Sequence, residues 1–375
     1  MIYFDNSATT KIDRRVVDVM LPYLYESFGN PSSKYYSLAT TAKNAVEEAR
    51  EQISLLLGCE VDEVIFTAGA TESNNMIIKG VMELYGGDNP HLVIGKAEHS
   101  SVLETAKYVE SQGVKVTYLN VDRYGRVNLE EFNDCLSLSP TLISIQWGNN
   151  ELGSINDIEY ISRRCEEEKV FFHTDATQVV GKIKISLNEI PVKFLSCSAH
   201  KFHGPKGIGA AIIRKDTLGI RTKIAPLIHG GGQENEYRSG THSVHNIVGF
   251  GKAAEIALSE QPDAADILEQ LEKNLKSKLV SMFSEVIHFN SDDHNKIPGI
   301  VNIQFKGINN ELLIKKVSDR VAISTGSACS SSKPSHVLQS IGLPLNEVRN
   351  SVRVSLSKEN TIEEIDEFCS FLSGK

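Results

Sequence analysis

Between about residue 60 and residue 215 the chain alternates short apolar runs with amphipathic stretches, and that rhythm leaves few folds open. Runs at 64–67, 92–95, 115–119, 142–146, 170–173, 194–196 and 209–213 read as strands. The stretches 72–85, 100–112, 129–135 and 157–168 read as helices. Short, continuous apolar runs suit strands buried on both faces, whereas apolar positions three or four apart bury one face of a helix. Strands joined by helices do not pair as hairpins, so the pattern predicts an α/β fold with a mostly parallel sheet flanked by helices. After residue 258 the rhythm changes. A long amphipathic helix over 268–283 leads into strands at 286–289, 299–305, 321–324 and 352–356, with helices at 310–318, 334–341 and 361–372. We expect a large domain over 13–258 and a smaller α+β domain from 1–12 and 259–375.

Composition removes several functions. The 375 residues are 41% hydrophobic and 23% charged, an ordinary soluble balance. A formal charge of −9 argues against broad contact with nucleic-acid phosphates. No apolar run is long enough to span a membrane, and the start, Met1 to Asn6, lacks the basic and apolar regions of a signal peptide. A cytoplasmic protein is expected. Six cysteines, at 59, 135, 165, 197, 329 and 369, form no CxxC and no zinc-finger spacing, so we read them as reduced thiols. Five read as small apolar residues. Cys329, set in Thr325-Gly326-Ser327-Ala328-Cys329-Ser330-Ser331-Ser332, reads as a loop thiol.

The polar signatures fall at the carboxyl ends of the candidate strands, where α/β sheets bind ligands. After the run 194–197 comes Ser198-Ala199-His200-Lys201-Phe202-His203-Gly204-Pro205. A lysine at the end of a buried strand loses ammonium stability to desolvation, and the free amine can attack a carbonyl. After 64–66 comes Thr67-Ala68-Gly69-Ala70-Thr71, where a helix start offers N–H groups at Ala70 and a hydroxyl at Thr71 to an anion. There is no GxGxxG and no GxxxxGK[ST] pattern. His173-Thr174-Asp175-Ala176-Thr177-Gln178 ends another strand; a buried carboxylate there holds a cation or a protonated ring nitrogen, and a metal would lack a third ligand. Glu98-His99-Ser100 supplies an imidazole able to stack and to move protons. Asn149-Asn150-Glu151 reads as a turn, and Tyr237-Arg238-Ser239-Gly240-Thr241 is a further polar segment. Arg353, inside an alternating strand, suits a carboxylate if it points inward. Together these are the parts that pyridoxal 5'-phosphate chemistry asks of a protein, with no metal.

From Tyr3-Phe4-Asp5-Asn6-Ser7-Ala8-Thr9-Thr10 to Arg353 the chain resembles the cysteine desulfurases of the NifS/IscS type, in the class V aminotransferase group of fold type I. Gly29-Asn30-Pro31-Ser32-Ser33, His229-Gly230-Gly231-Gly232-Gln233-Glu234 and Gly326-Ser327-Ala328-Cys329 belong to the same resemblance. It implies Lys201 as the Schiff-base lysine, Asp175 on the pyridine nitrogen, Gln178 on the phenolic oxygen and His99 stacked on the ring. It implies that Ala70, Thr71, Ser198 and His200 hold the phosphate, with Thr241 reaching in from a second subunit of a homodimer. Asn150 and Arg353 would take the carboxylate of L-cysteine. Cys329 would receive the sulfur as a persulfide, with His99 assisting, and pass it to a sulfur-acceptor protein serving iron–sulfur assembly, thiolation or DNA phosphorothioation. Two departures stand out. The stretch from Cys329 to Pro334-Ser335 is shorter than the family commonly carries, and Ser357 replaces a glycine. Selenocysteine lyase, another class V enzyme and a non-catalytic scaffold remain the alternatives.

Overall fold

In the computed structural model, which describes residues 1–216, 218–326 and 333–373, the strands are β1 (Ile2–Tyr3), β2 (Val64–Thr67), β3 (His91–Gly95), β4 (Lys115–Leu119), β5 (Leu142–Ser144), β6 (Phe171–Asp175), β7 (Phe194–Ser198), β8 (Gly209–Ile213), β9 (Ile287–Phe289), β10 (Ile300–Phe305), β11 (Val321–Ala322) and β12 (Ser351–Ser355). Seven of them form one sheet in the order β2-β8-β7-β6-β5-β3-β4. The pairs β7–β6, β6–β5, β5–β3 and β3–β4 are parallel, and β8 alone runs against both of its neighbours. A mostly parallel sheet is what the strand–helix rhythm predicts.

Alternation along each strand sends side chains to two cores. Val93, Ile143, Phe172, Leu195 and Ile212 enter one core. There they meet helices Ser37–Leu57, Leu129–Leu136, Ile158–Glu167 and the first half of Val244–Phe283. Ile65, Leu92, Ile94, Phe194 and Ile213 enter the other, against helices Ala70–Tyr85 and Ser100–Ser111. A further core joins β9, β10 and β12 to helix Ile362–Ser373, to Phe4 and to Leu268, Leu271, Leu275 and Leu279.

Two elements differ from expectation. Helix Val244–Phe283 is a single 40-residue element that continues through Pro262, whereas the sequence suggested a start near 268. A proline deletes one backbone donor and costs stability, but apolar contacts on both sides hold the helix together. Residue 258 lies inside it, so this helix carries the chain from the first core to the third. Helix Ser37–Leu57 had no counterpart in the sequence reading. Its buried face is built largely from Ala39, Ala42, Ala45, Val46 and Ala49, with Ile53, Leu56 and Leu57 at its end.

Candidate active site

The carboxyl ends of β2, β3, β5, β6 and β7, with residues 7–9 and Arg353, enclose a cavity of about 720 Å³. Ala70, Thr71, His99, Asn150, Asp175, Gln178, Ser198, His200, Lys201 and Arg353 all line it. Thr241 does not. It lies on a separate hollow of about 120 Å³ with Glu234, Arg238 and His242. Cys329 and the Ser330–Ser332 tract lie outside the described residues.

One end of the cavity suits an anion. Helix Ala70–Tyr85 begins at Gly69 with no side-chain cap, so its first N–H groups are left for another partner. Gly69 has φ 146°, which a side chain would strain. Gly209 on the neighbouring strand must also be bare, because a Cβ there would sit 2.7 Å from Gly69 Cα. Ser198 closes β7 beside this turn, and the chain then enters the 3-10 turn Ala199–Lys201. The Nδ1 of His200 lies 3.1 Å from Thr9 Oγ1. Burial, then the charges of Lys201, Lys206 and Lys182, push His200 down to about 4, so it is a neutral ring at physiological pH.

The opposite wall is a chain of hydrogen bonds. Asn74 Nδ2 donates to Asp175 Oδ2 (2.8 Å), and Thr177 N donates to Oδ1 (3.0 Å). Asn74 also donates to Ser101 Oγ (2.8 Å), which lies 2.8 Å from His99 Nδ1. The backbone N–H of Ser101 donates to that same Nδ1 (3.1 Å), so Nδ1 is the acceptor and the proton of the neutral ring sits on Nε2. Burial is the main reason that His99 stays below the usual histidine range, with help from Lys201 and His336 against Asp175. Directly beneath, His173 is bonded by Nδ1 to Ser144 Oγ (2.8 Å) and by Nε2 to Ser196 Oγ (2.9 Å). Both ring nitrogens are occupied, which removes it as a metal ligand. Burial sets it near 4, against the pull of Asp175.

Lys201 Nζ donates to the carbonyls of Ser7 (2.6 Å) and Ala8 (3.0 Å). Gln178 Nε2 donates to the Ser7 carbonyl as well (3.0 Å). Arg353 is 1% exposed and does point inward. It donates from Nη1 to the carbonyls of Asn150 (2.9 Å) and Gly326 (2.8 Å), and from Nη2 to Asp5 Oδ1 (2.7 Å). Its buried Nε has no partner among the described residues.

Several groups at or behind the wall gave no sign of their burial in the sequence. Glu151 sits at the wall with Oε2 accepting from Ser335 Oγ (2.5 Å), and burial raises its carboxyl. Glu98, behind His99, is raised further by burial and then by Asp175, although Gln146 N donates to it (2.8 Å). His336 lines the cavity with Nε2 donating to the Glu98 carbonyl (2.8 Å). A lone charged residue in a loop has no periodicity that betrays burial, so only the fold brings these together.

The residues present fit pyridoxal 5'-phosphate. The uncapped helix start and neutral His200 suit a phosphate, the anchored Asp175 suits a ring nitrogen, and Lys201 supplies the amine. Comparison with known proteins agrees. The family model "Aminotransferase class-V" matches residues 2–368. The chain is 41% identical over 376 aligned positions to "Cysteine desulfurase IscS" of Rickettsia typhi, covering all of this chain and 90% of that protein. Among solved structures it superposes on a "NifS-like protein" with a TM-score of 0.92 and 37% identity, covering 100% of this chain and 98% of that one. A structure of "SspA in complex with cysteine" gives a TM-score of 0.84 and 36% identity, covering 96% and 100%. The chain therefore belongs to the class V aminotransferases, PLP-dependent enzymes of fold type I, and within them to the NifS/IscS-type cysteine desulfurases.

Proposed function

We propose that this protein removes sulfur from L-cysteine, leaves L-alanine, and holds the sulfur as a persulfide on Cys329 for transfer to an acceptor protein. The observation that carries the reading is the gathering of Lys201, Asp175, His99, Gln178 and Arg353 around one cavity with an anion-ready helix start. When bound, the cofactor supplies an aldehyde that condenses with amines and a ring that draws electrons from the substrate. Ala70, Thr71, Ser198 and His200 would hold its phosphate, and Thr241 of a second copy would complete that end in a homodimer. Asp175, kept in place by Asn74 and Thr177, would keep a proton on the ring nitrogen. Arg353 and Asn150 would bind the substrate carboxylate.

Lys201, turned toward the Ser7 and Ala8 carbonyls, would serve as the amine that takes and returns the Cα proton. His99 faces the cavity as a neutral ring whose Nδ1 is already engaged, so it would give a proton from Nε2 rather than take one at Nδ1. The thiol of Cys329 would attack the substrate sulfur as a thiolate. The other cysteines are poor candidates, because burial pushes Cys59, Cys165 and Cys197 up to about 12. Among the described residues no helix is long and apolar enough to cross a membrane. With L-cysteine and a thiol reductant, the purified protein should form alanine and sulfide in equal amounts. Amino-group exchange with a keto acid and no sulfide would reject the reading.

A further inference from the structure

Beside Lys201 lies a second amine that no motif in the sequence singled out. Lys182 follows Gly181 at the end of the turn that starts at Ala176. Gly181 has φ 77°, and a Cβ there would come within 2.7 Å of Phe202, so the bend that delivers Lys182 depends on glycine. Lys182 Nζ donates to Gln178 Oε1 (3.1 Å). The other end of that amide, Nε2, donates to the Ser7 carbonyl, which also accepts from Lys201 Nζ. Lys182 and Lys201 together border a small cavity of about 50 Å³, whose wall also includes Asn6, Asp13, His203 and Glu260.

A primary amide has one accepting end and one donating end, and a fixed donor on one side decides which way it faces. In its charged form an amine can only donate, and when neutral it still has N–H groups to give to Oε1. That matters here, because burial, then the charges of Lys201 and Arg353, bring Lys182 down to about 7. The contact with Gln178 survives in both states.

We propose that Lys182 is a positioning residue of the cofactor site, holding the Gln178 amide with its Nε2 end at the cavity wall as a donor to an anionic ring oxygen. This rests on the reading of the cavity as a pyridoxal phosphate site. Without the amine, only the Ser7 carbonyl holds the amide's orientation, and the flipped form would set Oε1 against both that carbonyl and the anionic oxygen.

The test is a double-mutant cycle on the full-length protein, reading pyridoxal phosphate affinity by absorbance titration after the cofactor has been stripped. Lys182→Met and Gln178→Ala should each weaken binding roughly tenfold, the loss of one hydrogen bond with its partner left buried. The double variant should be no weaker than the worse single one, because both changes act on one contact. Lys182→Arg, which keeps a donor, should recover most of the affinity. Lys182→Gln, polar but too short, replaces the Met variant if that one does not fold. Additive losses, or a Lys182→Met protein that binds as tightly as wild type, would overturn the proposal. A wild-type protein that binds no pyridoxal phosphate would instead overturn the function it rests on.

Discussion

Buried charge is treated in opposite ways in two regions of this molecule. Beneath β2, Glu234 accepts from both Nη atoms of Arg50 (2.8 Å each), from Phe66 N (2.8 Å) and from His242 Nε2 (2.6 Å). Against the upward push of burial, Arg50 and His242 hold this carboxylate down near 2. At the cavity wall and just behind it burial wins, and Glu151 and Glu98 are raised instead. Glu98 Oε2 and Arg353 Nε have no partner among the described residues. The knot under β2 has a partner for each carboxylate oxygen, and it braces Glu234, Asn235 and Glu236, all with positive φ. A carboxylate paired at both oxygens fixes a backbone, even though His242 Nδ1 beside it has no partner among the described residues, whereas a buried carboxyl raised by its surroundings does not.

The sharpest way to probe this contrast is on the cavity side. Cys329→Ser should lower sulfide release more than about 10³-fold, since a hydroxyl cannot replace the thiolate nucleophile. Cofactor binding, read by absorbance, should persist. On the knot side, Glu234→Gln should cost about 3–5 kcal/mol in urea unfolding, the usual result of stranding one member of a buried ion pair. A loss under about 1 kcal/mol would mean that the knot is no stronger than a surface pair.

Acid should then distinguish the two regions by pH window. His173 has a folded pKa near 4 against 6.5 when unfolded, so the unfolded chain takes up the proton first. Stability should therefore fall as pH drops from 6.5 to 4, by roughly 3 kcal/mol for this residue. Glu234, lowered from 4.5 to about 2, should add its loss only below pH 4.5. His173→Gln should remove that residue's share of the upper part of the profile in urea midpoints, leaving the share of His200 in the same window and the lower part unchanged. The smallest expected effect is Arg353→Lys, which should raise KM for L-cysteine about tenfold because an ammonium cannot form the planar fork.

The same contrast explains what could be read from the sequence. β2, β4 and β8 coincide with the expected runs 64–67, 115–119 and 209–213, because β-branched and apolar residues stop abruptly at turns. Asp175, Lys201 and His99 stood out because each follows a strand, where the fold itself assigns ligand positions. The knot was invisible. Arg50 and Glu234 are far apart in sequence, and Arg50 lies on a helix that the sequence reading did not identify. Glu151 and Lys182 were missed for a related reason: each sits beside a residue that was noticed, but its burial comes from distant segments. The change of rhythm after residue 258 concealed the continuity of the 40-residue helix, which runs on through Pro262.

The account depends most on the amine of Lys201 being the attachment point for the cofactor aldehyde. Reduction of the holoenzyme with borohydride, followed by peptide mapping by mass spectrometry, reads this directly. The account predicts one pyridoxyl phosphate adduct per chain, on the peptide carrying Lys201. An adduct on Lys182, Lys206 or another lysine, or none at all, would contradict it.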